Sequence, residues 1–245
     1  LQALIEAPDF DVVGVVTQPD KPVGRKQELS SPAIKIEALK YDIEVHQPKQ
    51  ITNHKSQITN LDLDLIVVVA YSQLIPKEIL DAPKYGCINV HGSLLPKCRG
   101  AACIQKPILD GDKKSGVTVM LMDEGLDTGP ILSQKEIKIE DNDTTGSMFE
   151  KVSLVGAKLL IPTLRDYVDG KIKPQAQIGK TDYVGQIKKK DGHIDFSKSA
   201  VEIERFIRAM TPWPGAFATA DINGQNKMIK IISVEHQTID RQSQA

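Results

Sequence analysis

The chain has 245 residues, 40% of them hydrophobic and 26% charged, which is enough apolar material for one large domain and part of a second and excludes a disordered polymer. No apolar run approaches the ~20 residues of a membrane-spanning helix, so no membrane partner is expected. The net charge of -1 hides an imbalance: residues 1–170 carry 19 basic and 24 acidic side chains, whereas residues 171–245 carry 12 and 8, so the later segment is the better candidate for meeting a polyanion.

In chain order, LQALIEAPDF reads as the last turns of an amphipathic helix. It has neither the basic start nor the cleavage site of a signal peptide. With a Leu at position 1 and a polar close in ISVEHQTIDRQSQA, it is expected to belong to a longer chain. Strands are predicted at Val12–Thr17, Ile43–His46 and Leu63–Ala70, the last a nearly continuous apolar run of the kind buried on both faces. Cys87–His91, Val117–Met122 and Ile131–Ile139 follow. Helical patterns fill the gaps at Pro32–Lys40, Lys77–Leu80, Ala101–Leu109 and Thr145–Val168. This alternation predicts an α/β domain over residues 1–170, a mostly parallel Rossmann-like sheet with helices on both faces.

A break follows Asp169-Gly170. Residues 171–190 hold Pro174 and six lysines with little periodicity and read as a basic linker. Beyond it, Ala200–Met210 is predicted as a short amphipathic helix stopped by Thr211-Pro212-Trp213-Pro214-Gly215. Strands are predicted at Phe217–Ile222 and Lys227–Val234 around an Asn223-Gly224 turn. Residues 191–245 therefore look like the start of a small β-rich domain. The three cysteines, Cys87, Cys98 and Cys103, are odd in number and form no CxxC pair, which suits neither a disulfide framework nor a zinc site; reduced thiols are expected.

Asn89 and His91 lie two apart in a strand, so their side chains share a face, and the strand ends just beyond them at Gly92-Ser93. Ligands of open parallel sheets bind beyond the carboxyl ends of strands, which places this polar pair for chemistry. A lone strand histidine is ordinarily a hydrogen-bonded core residue, but the Asn89 partner and the following loop favour the functional reading. Asp127, in the glycine-flanked loop Asp123-Glu124-Gly125-Leu126-Asp127-Thr128-Gly129, is by itself an ordinary turn aspartate.

Two longer strings change the weighting. Residues 88–105, INVHGSLLPKCRGAACIQ, and 116–129, GVTVMLMDEGLDTG, resemble the folate-dependent formyltransferase family, in which an NxHxSLLP run and a downstream DxGLDTG loop build one active site. RGAAxIQ, TQPDKPVGR at 17–25, the helix TTGSMFEKVSLVGAKLL and IDFSKSAVEIERFIRAMTPWPGAF resemble the methionyl-tRNA branch, and the resemblance runs to about Val234. It implies an OB-like C-terminal domain and formyl transfer from 10-formyltetrahydrofolate to charged initiator tRNA, without a metal, by a cytoplasmic monomer. It also implies catalytic roles for Asn89, His91 and Asp127, a folate site at Ser93, Leu94, Leu95 and Pro96, and tRNA contacts from Arg25, Lys21 and Lys26. The lysines at 188–190 are further candidates for phosphate contact.

Two departures stand out. Cys103 replaces the family's usual proline. The family's first strand and its glycine turn are missing, so a central strand edge is expected to expose backbone donors and acceptors. Competing readings are transfer to glycinamide ribonucleotide or a sugar nucleotide, hydrolysis of formyl-folate, and a non-catalytic RNA-binding protein.

Overall fold

The computed structural model describes residues 1–24 and 27–235. They form two compact units. Leu1–His91, Thr118–Gln134 and Val155–Gln177 make the first; Gly92–Val117, Lys135–Leu154 and the residues from Ile178 onward make the second. The chain opens with helix α1 (Gln2–Ile5), strand β1 (Val15–Val16), an antiparallel pair β2 (Lys21–Val23) and β3 (Glu28–Ser30), helix α2 (Ala33–Leu39) and β4 (Val45–His46). Then come α3 (Lys55–Thr59), β5 (Ile66–Val68), α4 (Lys77–Leu80) and β6 (Cys87–His91). β7 (Arg99–Gly100), α5 (Gln105–Asp110), β8 (Lys114–Leu121), β9 (Ile131–Lys138) and α6 (Thr145–Val168) follow. The last elements are β10 (Tyr183–Val184), α7 (Ala200–Met210) and the hairpin of β11 (Ala216–Ile222) and β12 (Gln225–Ile231).

In the first unit β1 pairs in parallel with β4, and a four-stranded sheet runs in the order β5-β6-β8-β9. β5 is sandwiched as its apolar run predicts. Leu65 and Val67 pack on a core of Ile88, Val119, Leu132, Leu160 and Leu164 on the α6 side, while Leu63 and Ile66 pack on Ile51, Ile58 and Ile79. Within β5, alternation sends the Ile66 side chain to one core and that of Val67 to the other. The two sheets share no strand, and Val13 and Val69, which flank the elements facing that break, are exposed.

The sheet is mixed rather than mostly parallel. β5 and β6 run parallel, but β8 pairs antiparallel with β6, matching His91 to Thr118 and Ile88 to Leu121. The chain leaves β6 at its carboxyl end, makes only the six-residue α5, and starts β8 beside that same end, so β8 has to run backward. Two elements carried no sequence signal: the β2–β3 pair, and the parallel pairing of β7 with β10. The latter needs Gly100, because a Cβ there would run into the Val184 carbonyl.

In the second unit α7 starts with a capping box. Ser199 Oγ accepts from Glu202 N, and the Glu202 carboxylate accepts from Ser199 N at 2.9 Å. The α7 carbonyl of Ala209 accepts from Thr145 Oγ1 at 2.6 Å, and Arg208 donates to the Asp143 carbonyl at 2.9 Å. The β11–β12 hairpin turns on Asn223 (φ 56°) and Gly224 (φ 77°), the left-handed pair that matches strand twist in a two-residue loop.

Candidate active site

Strand β6 has two unlike faces. Ile88 and Val90, with Val119 and Leu121 across on β8, point to the α6 side and pack in its core. Asn89 and His91 point to the other face, where their cross-strand neighbours are Met120 and Thr118. His91 is buried, and Thr118 opposite it is fully buried, with its hydroxyl accepting from Gln134 Nε2 at 2.9 Å. A buried hydroxyl, held by the carboxamide of the exposed Gln134, is therefore the cross-strand neighbour of His91.

Asp127 reaches this face from an unexpected direction. The loop of residues 122–130 begins beside the amino end of β6, where Met122 N donates to the Cys87 carbonyl at 2.8 Å. At ~3.3 Å per residue, His91 lies roughly 13 Å further along the strand, so the loop must fold back over the sheet. It does: Asp127 Oδ1 lies 3.5 Å from Asn89 Nδ2 and 3.6 Å from His91 Nδ1. Both contacts converge on one carboxylate oxygen. Both are long for hydrogen bonds.

Local chemistry shapes the loop. Asp123 Oδ1 accepts from Gly125 N at 3.0 Å and from Thr128 Oγ1 at 2.5 Å, closing the first turn. Asp127 has φ 53°, a left-handed conformation open to Asp and Asn. A Cβ at Gly125 would meet the Thr128 hydroxyl, and one at Gly129 would meet the Leu121 carbonyl, so the GLDTG glycines are required by close approach. Gln177 closes the arrangement: its Nε2 donates to the carbonyls of Asp127 and Gly129, both at 2.8 Å. Gln177 and Gln134 were missed in the sequence, where each is a lone polar residue without a motif, and Thr118 lies in the 116–129 string without having been singled out. Ala70 (φ 47°) and Ser72 (φ 66°), just past β5 and the neighbour of Asn89 in register, Val68, were missed as well. A left-handed alanine costs on the order of 1–3 kcal/mol and tends to occur at functional edges.

The other predicted residues fall as follows. Ser93 and Leu95 are buried in the second unit, and Ser93 Oγ donates inward to the Lys97 carbonyl at 2.7 Å, closing its turn. Leu94 and Pro96 are half-buried, and Leu94 sits so close to Gly116 that a Cβ there would not fit. Lys21 is exposed on β2. Arg25 and Lys26 lie outside the described residues. The root of that segment is anchored by Asp20, which accepts from Gln47 Nε2 at 2.7 Å and Lys35 Nζ at 2.8 Å. The Gln47 hydrogen bond first, and then Lys35, hold the Asp20 carboxyl below the usual range.

Burial pushes the Cys87 thiol up to about 12 and the Cys98 thiol up to about 11, so neither is a thiolate nucleophile near neutrality. A cleft of about 530 Å³ in the second unit is lined by Ile108, Lys113, Asp141, Glu204 and Arg208 among others. Two of its cations pair with acids of the same lining, Lys113 with Asp141 and Arg208 with Glu204. Among the described residues no group of three or more His, Cys, Asp or Glu side chains is placed to hold a metal ion, and no helix is long and apolar enough to cross a membrane.

Residues 2–164 match the family described as formyl transferase, and residues 186–245 match the formyl transferase C-terminal domain. A methionyl-tRNA formyltransferase of Caldicellulosiruptor saccharolyticus is 46% identical over 98% of this chain and 76% of its own length. One of Bacillus subtilis is 46% identical over 94% of this chain and 72% of its own. Among solved structures, an N-formyltransferase from Helicobacter canadensis in complex with folinic acid and dTDP-3-aminofucose superposes with a TM-score of 0.70 at 22% identity, over 95% of this chain and 81% of that one. A 4-N formyltransferase from Francisella tularensis gives 0.69 at 19% identity, over 92% and 99%. These structures share the fold alone, whereas the family matches cover the site strand, the folded-back loop and the later hairpin together, and on that ground the chain belongs to the formyl transferase family.

Proposed function

We propose that this protein transfers the formyl group of 10-formyltetrahydrofolate to the amino group of methionyl-initiator tRNA, for translation initiation. The observation that carries this reading is the convergence of Asn89 and His91 on Asp127 Oδ1, within sequence 46% identical to methionyl-tRNA formyltransferases. That identity favours the tRNA substrate over the sugar nucleotide of the Helicobacter canadensis structure, which is only 22% identical.

Acyl transfer to an amine calls for an oxyanion donor, a proton donor and a proton acceptor. The amine attacks the formyl carbon, negative charge builds on the formyl oxygen, and the folate nitrogen leaves with a proton. Asn89 has two amide hydrogens; one faces Asp127, and the other is assigned to the oxyanion. His91 engages Asp127 through Nδ1, which assigns proton exchange with the substrate to Nε2. While it carries the proton it also steadies the oxyanion. Asp127 orients the ring and takes up the amine proton, directly or through water. Ser93, Leu94, Leu95 and Pro96 are assigned to folate, with the Ser93 and Leu95 side chains shaping the turn from within. Lys21, Arg25 and Lys26 are assigned to the tRNA.

We assign a catalytic domain to 1–170, a linker to 171–190 and an OB-like tRNA-binding domain to 191 onward; the two separate family matches, at 2–164 and 186–245, support a division into two domains. Under this reading the working form is a cytoplasmic monomer. The test is transfer of labelled formyl from 10-formyltetrahydrofolate to charged initiator tRNA, run against a free amine and an amino-sugar nucleotide. His91→Ala should lower single-turnover transfer by ~10²–10⁴-fold with folate affinity nearly intact. Activity within about threefold of the parent would remove His91 from the catalytic set.

A further inference from the structure

Folding the 122–130 loop back over the sheet is costly, because the loop carries a non-glycine residue at positive φ and must hold its backbone carbonyls in a fixed direction. Asp123 closes the first half of the loop by itself. The second half is held by chain from far away in sequence. After α6, Ile172 packs into the core of the first unit, and residue 175 forms an antiparallel bridge with the start of β9: Ile131 N donates to the Gln175 carbonyl at 2.7 Å and Gln175 N to the Ile131 carbonyl at 2.8 Å. Two residues on, Gln177 Nε2 lies 2.8 Å from both the Asp127 and the Gly129 carbonyls. A single carboxamide therefore fixes the two peptide planes on either side of the Asp127–Gly129 turn.

We propose that Gln177 is a positioning residue for the reaction: its carboxamide clamps the carbonyls of Asp127 and Gly129 and thereby aims the Asp127 carboxylate at Asn89 and His91. The inference rests on the site assigned under the proposed function. Without the two donated hydrogens the Asp127 peptide is free to rotate, and a shift of about 1 Å in a catalytic group costs on the order of 10²-fold in rate. The bridge at Ile131 and Gln175 keeps the polypeptide in place, so the effect is local to the carboxylate and does not require unfolding.

The test compares Gln177→Met, Gln177→Glu and Gln177→Lys in the full chain, alone and combined with Asp127→Asn. Transfer to methionyl-tRNA is the readout, with circular dichroism as the check on folding. Met fills similar space without a donor, Glu turns an acceptor toward two carbonyls, and Lys keeps a donor. The expected result is a fall in kcat of about 10–100-fold for Met and Glu, with KM for the folate within about threefold and partial recovery in Lys. The decisive result is the double variant: if Gln177 acts through Asp127, adding Gln177→Met to Asp127→Asn should cost less than about threefold more. Losses that multiply, or a near-parental kcat in both Met and Glu, overturn the clamp while leaving the site intact. A fully active Asp127→Asn overturns the site itself, and the clamp with it. If Gln177→Met fails to fold, the same comparison is read from Gln177→Glu.

Discussion

Asp127 sits at φ 53°, and the side chain that tolerates this conformation is also the one whose carboxylate meets Asn89 and His91. Turn chemistry and the proposed catalytic role therefore select the same residue type, and the local sequence taken alone favours a plain turn. Substitution separates the two roles. Asparagine keeps the local backbone bonds and the left-handed conformation, but it can neither hold a charged imidazole nor accept a proton. Asp127→Asn is expected to lower transfer by about 10²-fold or more while the melting temperature barely moves. A variant at near-parental rate would return Asp127 to the status of a turn residue. The structure supplies the reason for the glycines around it, since Gly125 and Gly129 have no room for a Cβ. Gln177 was not legible, because a hydrogen bond to a backbone carbonyl fifty positions away leaves no local pattern.

At the scale of elements, the periodic ones were read closely. α6 occupies Thr145–Val168, α7 Ala200–Met210 and β6 Cys87–His91, as their patterns predict. The reading was weaker where pairing rather than periodicity defines the strand: Val12–Thr17 shortens to Val15–Val16, and Leu63–Ala70 to Ile66–Val68. The start of α6 carries a pH-sensitive clasp. Asp143 is buried and accepts from Glu140 N at 2.7 Å, Ser147 Oγ at 2.7 Å and Lys151 Nζ at 2.5 Å. Burial alone would raise its carboxyl, but the Lys151 ammonium and the Glu140 and Ser147 donors outweigh it, so the carboxyl lies below its ordinary value. A depressed folded value means that the unfolded chain binds the proton first. The clasp therefore contributes fully above about pH 4 and is lost as the pH falls through the folded value. Asp143→Asn is expected to lower stability at pH 7 by about 1.5–3 kcal/mol, the worth of a charge-assisted bond. It should also flatten the drop in urea midpoint between pH 5 and pH 3. Parallel urea curves for parent and variant across that range would show that Asp143 does not carry the acid sensitivity.

Across the whole molecule, charge follows the proposed substrate, with the basic surplus in residues 171–245 and a basic cluster around residues 21–26. Arg25 belongs to that cluster, and the segment is rooted at Asp20 by Gln47 and Lys35. Arg25→Ala is expected to raise KM for charged tRNA with kcat nearly unchanged. The difference should shrink as salt rises, because a phosphate contact is screened beyond a Debye length of about 10 Å at 0.1 M. A fall in kcat with unchanged tRNA binding at every salt concentration would move Arg25 from binding to chemistry. The same scale shows the open edge of the first unit: β1–β4 and β5-β6-β8-β9 form separate sheets, and apolar residues beside the break are exposed.

The sequence by itself determined the α/β class, the periodic elements, the Asn89–His91 face and the identity of the groups available for acid–base work. Each depends on residue type or on short-range spacing, so each is written within a few consecutive residues. Tertiary structure alone decided that β8 runs backward, that the 122–130 loop returns along β6 to bring Asp127 Oδ1 to Asn89 and His91, and that Gln177 and the Thr118–Gln134 pair support it. These depend on which edge of a strand is free and on where the chain returns after α6. Both are set by packing between residues tens of positions apart, where local periodicity carries no information.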